Sequence, residues 1–160
     1  MVIREYKPSD CQEITELFYN TVHTVNARDY TQRQLDAWAP GAADLENWNR
    51  SLLGHYSLVA VENGVIAGFG DIDETGYLDR LYVDADYQGQ GIASAICDRL
   101  ESWVTGNIVV HASMTARGFF EKRGYRTLSE QQVERRGVLL TNYIMVRTAA
   151  GCGQSACCQR

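Results

Sequence analysis

Residues 81–93, LYVDADYQGQGIA, constrain the fold of this chain more than any other part of the sequence. A strand-like run at residues 81–83 leads into a loop with two glycines, and the loop opens directly into an amphipathic pattern that begins at Ile92. Glycines allow backbone N–H groups to point into one concavity, and a helix N-terminus adds partial positive charge. The segment therefore predicts a strand–loop–helix unit that binds an anionic group such as a pyrophosphate.

The patterns before this unit predict strands and helices that alternate along the chain. Residues 2–6 alternate like a strand, and capping boxes at Ser9/Gln12 and Thr31/Gln34 predict the starts of two helices. Asp44 is expected to cap a third helix through residue 53. The dipeptide at residues 63–64, Asn-Gly, lies between two apolar runs and predicts a β-hairpin with a type I′ turn.

The patterns after the unit complete a mixed architecture. A helix over residues 92–104 is expected to bury one stripe of side chains, and residues 108–112 predict a strand buried on both faces, with His111 in the core. A further helix is expected to stop at Gly124, and a hairpin that turns at residues 136–137 closes the domain. The predicted fold class is α/β (α+β), with a mixed, mostly antiparallel central sheet of about seven strands flanked by helices. The buried stripe consists of Ile92, Ile96, Leu100 and Trp103.

The length and the net charge limit the classes of protein to which this chain can belong. The 160 residues fit one domain, expected at residues 1–148, with a disordered tail at residues 149–160. The formal net charge of -5 argues against non-specific binding to nucleic acid or to an anionic membrane. No run approaches the roughly 20 apolar residues of a membrane span, and no signal-peptide pattern opens the sequence. We expect a cytoplasmic protein, monomeric or homodimeric.

The cysteines do not form a metal-binding pattern. Cys11 and Cys97 occupy apolar positions of predicted helices and are expected to be buried. The other three lie in the tail without a neighbouring histidine or a C-x-x-C pair, so no zinc or other metal site is predicted. These three are Cys152, Cys157 and Cys158.

Two motifs together resemble the signatures of the GNAT superfamily of N-acetyltransferases. The first is Gln88-x-x-Gly91-x-Ala93, which follows the Leu-Tyr-Val strand end and resembles the superfamily's acetyl-CoA pyrophosphate loop. The second, S-x-x-A-x-x-F-F-E-K-x-G-Y, begins at Ser113 about 25 residues later. The two motifs stand in the superfamily's order with the expected elements between them. The resemblance extends from residue 2 to about residue 147.

The resemblance implies that acetyl-CoA is the cosubstrate. Backbone groups at Leu81 and Val83 would pair with the pantetheine arm like an added strand, and an N–H there would polarise the thioester carbonyl. Backbone N–H groups of the glycine loop would hold the pyrophosphate, and the phenylalanines of the second motif would lie near the thiol. The implied cofactor-binding residues are Leu81, Tyr82, Val83, Gln88, Gly89, Gln90, Gly91, Ile92, Ala93, Ser113, Phe119 and Phe120.

Two positions depart from the superfamily's pattern. Ser113 stands where members commonly have Asn, although a hydroxyl can still cap a helix. Phe120 stands where many members carry a Tyr that protonates the departing thiolate, and a phenyl ring has no proton to donate. Either Tyr143 or water would then supply the proton, because a thiolate is a good leaving group.

A general base must accept the proton of the attacking amine. We expect Asp79 to do so, because it precedes Leu81 by two residues and should share its face of the strand. Other candidates are Asp71, Asp73, Glu74 and Tyr77, while His23 and His111 titrate near neutral pH. The amine is expected to enter near the aromatic side chains of the N-terminal helices, which are Tyr19, Tyr30, Trp38 and Trp48.

Two other functions were weighed against N-acetylation of a small-molecule amine. A dinucleotide-binding oxidoreductase would need a third glycine at Ser94 and an acidic residue at the end of the next strand, and both are missing. A non-catalytic acyl-CoA sensor or interaction module on the same fold is the alternative that the loss of Tyr at Phe120 leaves open.

Overall fold

A computed structural model describes residues 1–149 of the chain. The expectations about tail disorder and tail cysteines concern residues outside this part, apart from Ala149. The described residues form seven strands and five α-helices, and none of these helices is long and apolar enough to cross a membrane. The strands are β1 (Val2–Glu5), β2 (Tyr56–Glu62), β3 (Val65–Ile72), β4 (Tyr77–Val83), β5 (Ile108–Ser113), β6 (Arg126–Arg135) and β7 (Val138–Arg147). The helices are α1 (Cys11–Thr24), α2 (Gln32–Trp38), α3 (Leu45–Gly54), α4 (Ile92–Trp103) and α5 (Arg117–Lys122).

All seven strands form one sheet in the order β1-β2-β3-β4-β5-β7-β6. Neighbouring strands are antiparallel except β4 and β5, which are parallel. The mixed, mostly antiparallel sheet flanked by helices confirms the predicted fold class. Both predicted hairpin turns are present, since residues 63–64 and 136–137 all have positive φ, as a type I′ turn requires.

Helices cover the sheet on both faces. Ile96 and Leu100 of α4 pack with Phe120 of α5 on one face, whereas Ile14 of α1 and Leu52 of α3 pack on the other. Two glycines of β3 let α4 approach closely. A Cβ at Gly70 would lie 3.0 Å from the Arg80 carbonyl oxygen and 3.1 Å from Ile96, and Gly68 is similarly confined. Cys11 and Cys97 are buried, as predicted.

Two of the three helix N-caps predicted from the sequence are present in the structure. The Thr31/Gln34 capping box forms, and the Asp44 carboxylate accepts a hydrogen bond from the Asn47 N–H. The predicted box at Ser9 was wrong, because the neighbouring Asp10 takes the role: its carboxylate accepts from the Lys7 N–H at 3.0 Å and binds Arg4 through two hydrogen bonds of 2.8 and 2.9 Å. A paired carboxylate is a stronger acceptor than a hydroxyl.

Two burial predictions were wrong for reasons of tertiary structure. Trp103 is 47% exposed, because α4 ends at the sheet margin, where its ring stacks on Tyr56 at 5.0 Å. The strand β5 is buried on one face only: Ile108, Val110 and Ala112 are in the core, whereas His111 is exposed. The face of β5 that bears His111 borders cavities and not the packed core.

A buried carboxylate links three elements at the far end of α4. Glu101 accepts hydrogen bonds from Arg123 and Tyr125, the latter at 2.8 Å, and also binds Arg147 of β7. Its side chain is 7% exposed. Both burial and the neighbouring Glu101 raise the pKa of the Tyr125 hydroxyl, so this tyrosine stays a hydrogen-bond donor. The cluster joins α4 to the segment after α5 and to the last strand.

Candidate active site

The parallel strands β4 and β5 pair over only two residues. Tyr77 lies opposite Val109 and Leu78 opposite Val110, and beyond them no further pairs form. The backbone of β4 continues to pair with β3 on its other side as far as Val83. Residues 79–83 therefore present an unpaired strand edge to the gap between β4 and β5. A cavity of about 510 Å³ occupies this gap.

A β-bulge coincides with the end of the parallel pairing. Asp71 of β3 lies opposite Arg80 and Ile72 lies opposite Leu78, so Asp79 is the extra residue of β4. Bulges change the direction of a side chain and are frequent beside active sites. The bulge also interrupts the alternation that would have put Asp79 and Leu81 on one face. Leu81 packs on the core beneath α4, whereas the Asp79 carboxylate lies 3.2 Å from Arg80 Nη2.

The cavity between β4 and β5 gathers most of the residues that the resemblance implies for the cofactor. Gly89, Gln90, Gly91 and Ile92 do not line it, and Ile92 is 3% exposed in the core. These four can contribute through backbone groups, as expected of a phosphate loop. The eight that do line the cavity are Leu81, Tyr82, Val83, Gln88, Ala93, Ser113, Phe119 and Phe120.

The glycine loop presents an uncapped helix N-terminus. Gly91 is the N-cap residue of α4 with φ +80°, and no side chain caps the first turn. A left-handed φ of this kind favours glycine, and the Gly89 φ is +74°. Gln88 Nε2 donates to the Val83 carbonyl at 2.6 Å, which fixes the loop against the end of β4. The free N–H groups and the helix dipole suit an anion.

Two further polar contacts fit the same cavity. The Ser113 hydroxyl accepts from the Ala116 N–H at 3.1 Å, so serine caps this turn before α5 where the superfamily commonly has Asn. Across the gap, the hydroxyl oxygen of Thr21 in α1 is buried and has no hydrogen-bond partner among residues 1–149. A buried polar group without a partner is costly and commonly awaits a ligand.

A second cavity of about 290 Å³ adjoins the first. The two share five lining residues, among them Asp79, His111 and Ser113. We call the first the cofactor cavity and the second the acceptor cavity. Four polar side chains line the acceptor cavity alone: Arg80, Arg135, Thr141 and Asn142. Its aromatic lining residues are Phe18, Tyr30, Trp38, Trp48, Tyr77 and Tyr82.

The aromatic residues of the N-terminal helices divide into two groups. Tyr30, Trp38 and Trp48 line the acceptor cavity, as expected. Tyr19 and His23 instead contact each other, with ring centroids 4.2 Å apart, and His23 Nε2 lies 2.8 Å from the Ala39 carbonyl. The Tyr30 hydroxyl donates to the Thr141 carbonyl at 2.6 Å, and it accepts from the Met114 N–H at 2.9 Å. Tyr30 thereby joins the N-terminal helices to the last strand.

An ionic network lies beneath Asp79. Arg80 Nη2 bridges Asp79 and the fully buried Asp71, at 3.2 and 3.1 Å, and also contacts Ser51. His55 Nδ1 lies 2.7 Å from Oδ2 of Asp71, the same carboxylate oxygen that Arg80 contacts. This hydrogen bond raises the pKa of His55, and burial raises the pKa of Asp71.

The same network bears on metal binding and on the other predicted bases. Ligand atoms of His55, Asp71 and Asp79 lie within 4.8 Å of one another, but the Arg80 guanidinium already bridges the two carboxylates and neutralises one of their two charges. Asp73 accepts from the N–H groups of Thr75 and Tyr77 and so holds the turn before β4. Glu74 lines a separate surface depression near Trp103.

The two residues relevant to protonation of the thiolate occupy different surroundings. Phe120 lines the cofactor cavity at 2% exposure and packs edge-on against Phe119 and Tyr125. Tyr143 lies on β7 opposite Ala112, and the Arg117 guanidinium covers its ring at 4.1 Å. Tyr143 lines neither cavity. Its role as the acid stays a prediction.

Sequence reasoning missed several residues of the site. No sequence motif marked four of these residues, and their positions depend on strand register and helix packing. They are Thr21, His55, Arg80 and Arg135. The alternation of β5 could have indicated His111, because an imidazole between buried apolar residues lies on the opposite face of a strand.

The described residues thus form an open mixed sheet in which a parallel pair diverges beside a helix N-terminus suited to an anion, and two cavities meet at Asp79. Residues 26–147 match the acetyltransferase (GNAT) domain family. The chain belongs to this family of acyltransferases, and acetyl transfer is the activity that defines the family.

Two curated relatives support this assignment. The uncharacterized N-acetyltransferase YafP of Escherichia coli is 36% identical over 143 residues, which cover 89% of this chain and 93% of YafP. The L-methionine sulfoximine/L-methionine sulfone acetyltransferase of Salmonella typhimurium is 31% identical over 114 residues, which cover 62% of this chain and 61% of that protein.

Solved structures show the same fold. A GCN5-related N-acetyltransferase from Rhodopseudomonas palustris superimposes with a TM-score of 0.88 at 31% identity, covering 92% of this chain and 94% of that one. An acetyltransferase from Salmonella typhimurium, solved with its cofactor acetyl-CoA, has a TM-score of 0.62 at 22% identity and covers 93% and 94% of the two chains.

Proposed function

We propose that this chain transfers the acetyl group of acetyl-CoA to the primary amine of a small molecule, by direct attack within a ternary complex. The observation that carries the proposal is the junction of the cofactor and acceptor cavities at Asp79 and His111. Two reactants bound in adjoining cavities are held in line, which removes much of the entropic barrier to their reaction.

The cofactor cavity has the groups that acetyl-CoA needs. The unpaired edge at Leu81 and Val83 can pair with the amide groups of the pantetheine arm. The N–H groups of residues 88–93 can hold the pyrophosphate at the N-terminus of α4. In this proposal a backbone N–H of the same strand edge polarises the thioester carbonyl. When bound, acetyl-CoA supplies the activated acetyl group.

Asp79 is the proposed general base. Its carboxylate is about one-third exposed at the junction, where it can accept a proton from the attacking nitrogen directly or through one water molecule. Arg80 fixes its orientation. His111 lies at the same junction, with Tyr77 edge-on to its ring at 5.1 Å, and is the second candidate base.

The departing thiolate takes a proton from Tyr143 or from water. Phe120 cannot supply it, because a phenyl ring has no exchangeable proton. A tyrosine hydroxyl can donate, but the ring of Tyr143 lies beneath Arg117, so a water molecule or a side-chain movement would have to connect it to the sulfur.

A small acceptor suits the shape of the acceptor cavity. At about 290 Å³ it has the size of a small-metabolite pocket, and side chains of α1, α2, α3 and β7 surround it. The Salmonella relative, which by its name acts on two methionine derivatives, supports an acceptor of similar size.

Turnover of an amine panel tests the proposal. Purified protein is incubated with acetyl-CoA and small primary amines, amino acids, or peptides with free N-termini, and released CoA thiol is measured against a reaction without amine. We expect turnover with at least one small amine and none with the peptides. Tight binding of acetyl-CoA without turnover of any amine would instead support the acyl-CoA sensor.

A further inference from the structure

We propose that the acceptor amine also carries a carboxylate, and that Arg135 is the residue that binds it. This inference rests on the proposed function and assigns the substrate class of the acceptor cavity: an amino carboxylic acid.

The side chains that line the acceptor cavity carry one more positive than negative charge, because Arg80 and Arg135 face a single carboxylate, that of Asp79. Asp71 and Asp79 are compensated by Arg80 and, when it is protonated, His55. Arg135 also lines the cavity, and its exposed side chain forms no hydrogen bond or ion pair with any residue from 1 to 149. The cavity therefore carries an unpaired positive charge in a chain whose formal net charge is -5.

An unpaired guanidinium opposes the binding of a simple cationic amine. Two like charges repel more strongly in a partly dry, aromatic cavity than in water, because the effective dielectric constant is lower. Asp79 can compensate the ammonium group, but an amine without an anionic group would leave Arg135 without an ion-pair partner in the cavity. A carboxylate removes both penalties, since a guanidinium binds it through two parallel hydrogen bonds.

The backbone around Arg135 is held firmly enough to define a subsite. Arg135 is the last residue of β6, and the next residue, Arg136, donates from Nη1 to the Ala37 carbonyl at 3.0 Å. Gln34 Nε2 donates to the Leu139 carbonyl at 3.0 Å on the other side of the turn. The hairpin tip is thus fixed to α2. Arg135 lines only the acceptor cavity, so it can hold the carboxylate while the amine faces the cofactor.

An unused hydrogen-bond acceptor in the same cavity fits the other end of this ligand. Asn142 Oδ1 is buried and has no hydrogen-bond partner within residues 1–149. Asn142 lies opposite Ser113 of β5, one of the five residues that border both cavities. Its oxygen can accept an ammonium N–H and so direct the amine towards the cofactor cavity.

Matched amine pairs test the inference. The probes are L-phenylalanine and 2-phenylethylamine, which differ by the carboxylate, and L-methionine and 3-(methylthio)propylamine. In Arg135→Met we expect kcat/KM for the amino acids to fall about 10–100-fold, the range for a lost charge-assisted hydrogen bond, while the values for the decarboxylated amines do not fall and rise as far as the repulsion by Arg135 is relieved. Arg135→Lys should restore part of the loss. Arg126→Met, which removes an exposed arginine at the other end of β6, is the control and should leave all four values unchanged.

The outcomes separate this inference from the proposed function. Equal turnover of both members of each pair by the wild type, or an equal effect of Arg135→Met on both, would overturn the role of Arg135 while acetyl transfer stands. If no amine is turned over, calorimetric titration of L-phenylalanine into the protein with CoA still tests whether Arg135 binds the carboxylate. Binding that weakens in Arg135→Met and persists in Arg126→Met supports the carboxylate subsite, and equal or absent binding refutes it.

Discussion

His55 Nδ1 lies 2.7 Å from the carboxylate of Asp71, which has no exposed surface. A carboxylate this deeply buried is unstable alone, and it depends on the charges of its partners. His55 supplies one of these charges at the protein surface, and Arg80 supplies the other towards the acceptor cavity. The pair therefore connects a group that titrates near neutral pH to the residues around Asp79.

The stability of the protein should fall with rising pH through this histidine. Because the pKa of His55 is higher in the folded state, its contribution to the free energy of unfolding is fully present below the unfolded value of about 6.5 and is lost as pH rises through the folded value. Urea unfolding from pH 6 to 9 should show this decline in the wild type and a flatter profile in His55→Gln. His23→Gln, whose ring contacts the Ala39 carbonyl, should keep the wild-type slope. A slope unchanged in His55→Gln would contradict the linkage.

Substitution of Gly91 should abolish binding of acetyl-CoA. A glutamate there places bulk and negative charge at the N-terminus of α4, where the pyrophosphate is expected, although no atom lies within 4 Å of the added Cβ. Isothermal calorimetry should detect no binding by Gly91→Glu. Gly64→Glu is the matched control, because Gly64 has a φ of +79° and equally open surroundings in the β2–β3 turn. If Gly91→Glu binds as the wild type does, the loop has been misassigned.

Removal of the Asp79 charge should slow acetyl transfer. Asp79→Asn is expected to lower kcat/KM about 10²–10⁴-fold, the range for general-base catalysis, with little change in acetyl-CoA affinity. The rise of rate with pH should disappear in the variant. Glu74→Gln removes a carboxylate from the same turn region, outside both cavities, and should retain activity. Near-native activity of Asp79→Asn at every pH would show that Asp79 is not the general base. His111 would then be the next candidate, and His111→Gln would test it.

The carboxylate of Glu101 should matter for stability and not for catalysis. Glu101→Ala leaves Arg123 and Arg147 without their shared partner and should lower the free energy of unfolding by about 3–5 kcal/mol, as expected when a buried pair is broken. The exposed Glu121, which pairs with Arg117 on one helix, provides the control: Glu121→Ala should change stability by less than about 1 kcal/mol. Chemical denaturation measures both. Equal effects in the two variants would show that the Glu101 cluster is not a stabilising centre.

Local sequence was sufficient wherever a short segment determines its own backbone. The Asn63-Gly64 turn and the Thr31 cap depend on residues only a few positions apart, and both have the predicted conformation. The order of elements followed from these signals and from hydrophobic periodicity. The cofactor cavity could be predicted from the sequence for the same reason, because the loop that borders it is continuous in sequence.

The remaining features depend on register between distant segments. The bulge at Asp79 exists only in the pairing of β3 with β4, so alternation within β4 alone could not reveal it. His55 and Asp71 come together because β2 and β3 return antiparallel, and no local pattern marks either residue as ionic. Trp103 was predicted to be buried because it continues the apolar stripe of α4. It is exposed because the core ends before the helix does.

The contact between Tyr30 and Thr141 spans 111 positions of the sequence. All the residues that line the cofactor cavity fall between Thr21 and Lys122, whereas the acceptor cavity also needs Val133, Arg135 and residues 140–142. During translation, a nascent chain that has left the ribosome only to residue 125 thus possesses every side chain of the first cavity and an incomplete second one. Under the proposed function, selection of the amine therefore requires the β6–β7 hairpin to have been synthesised.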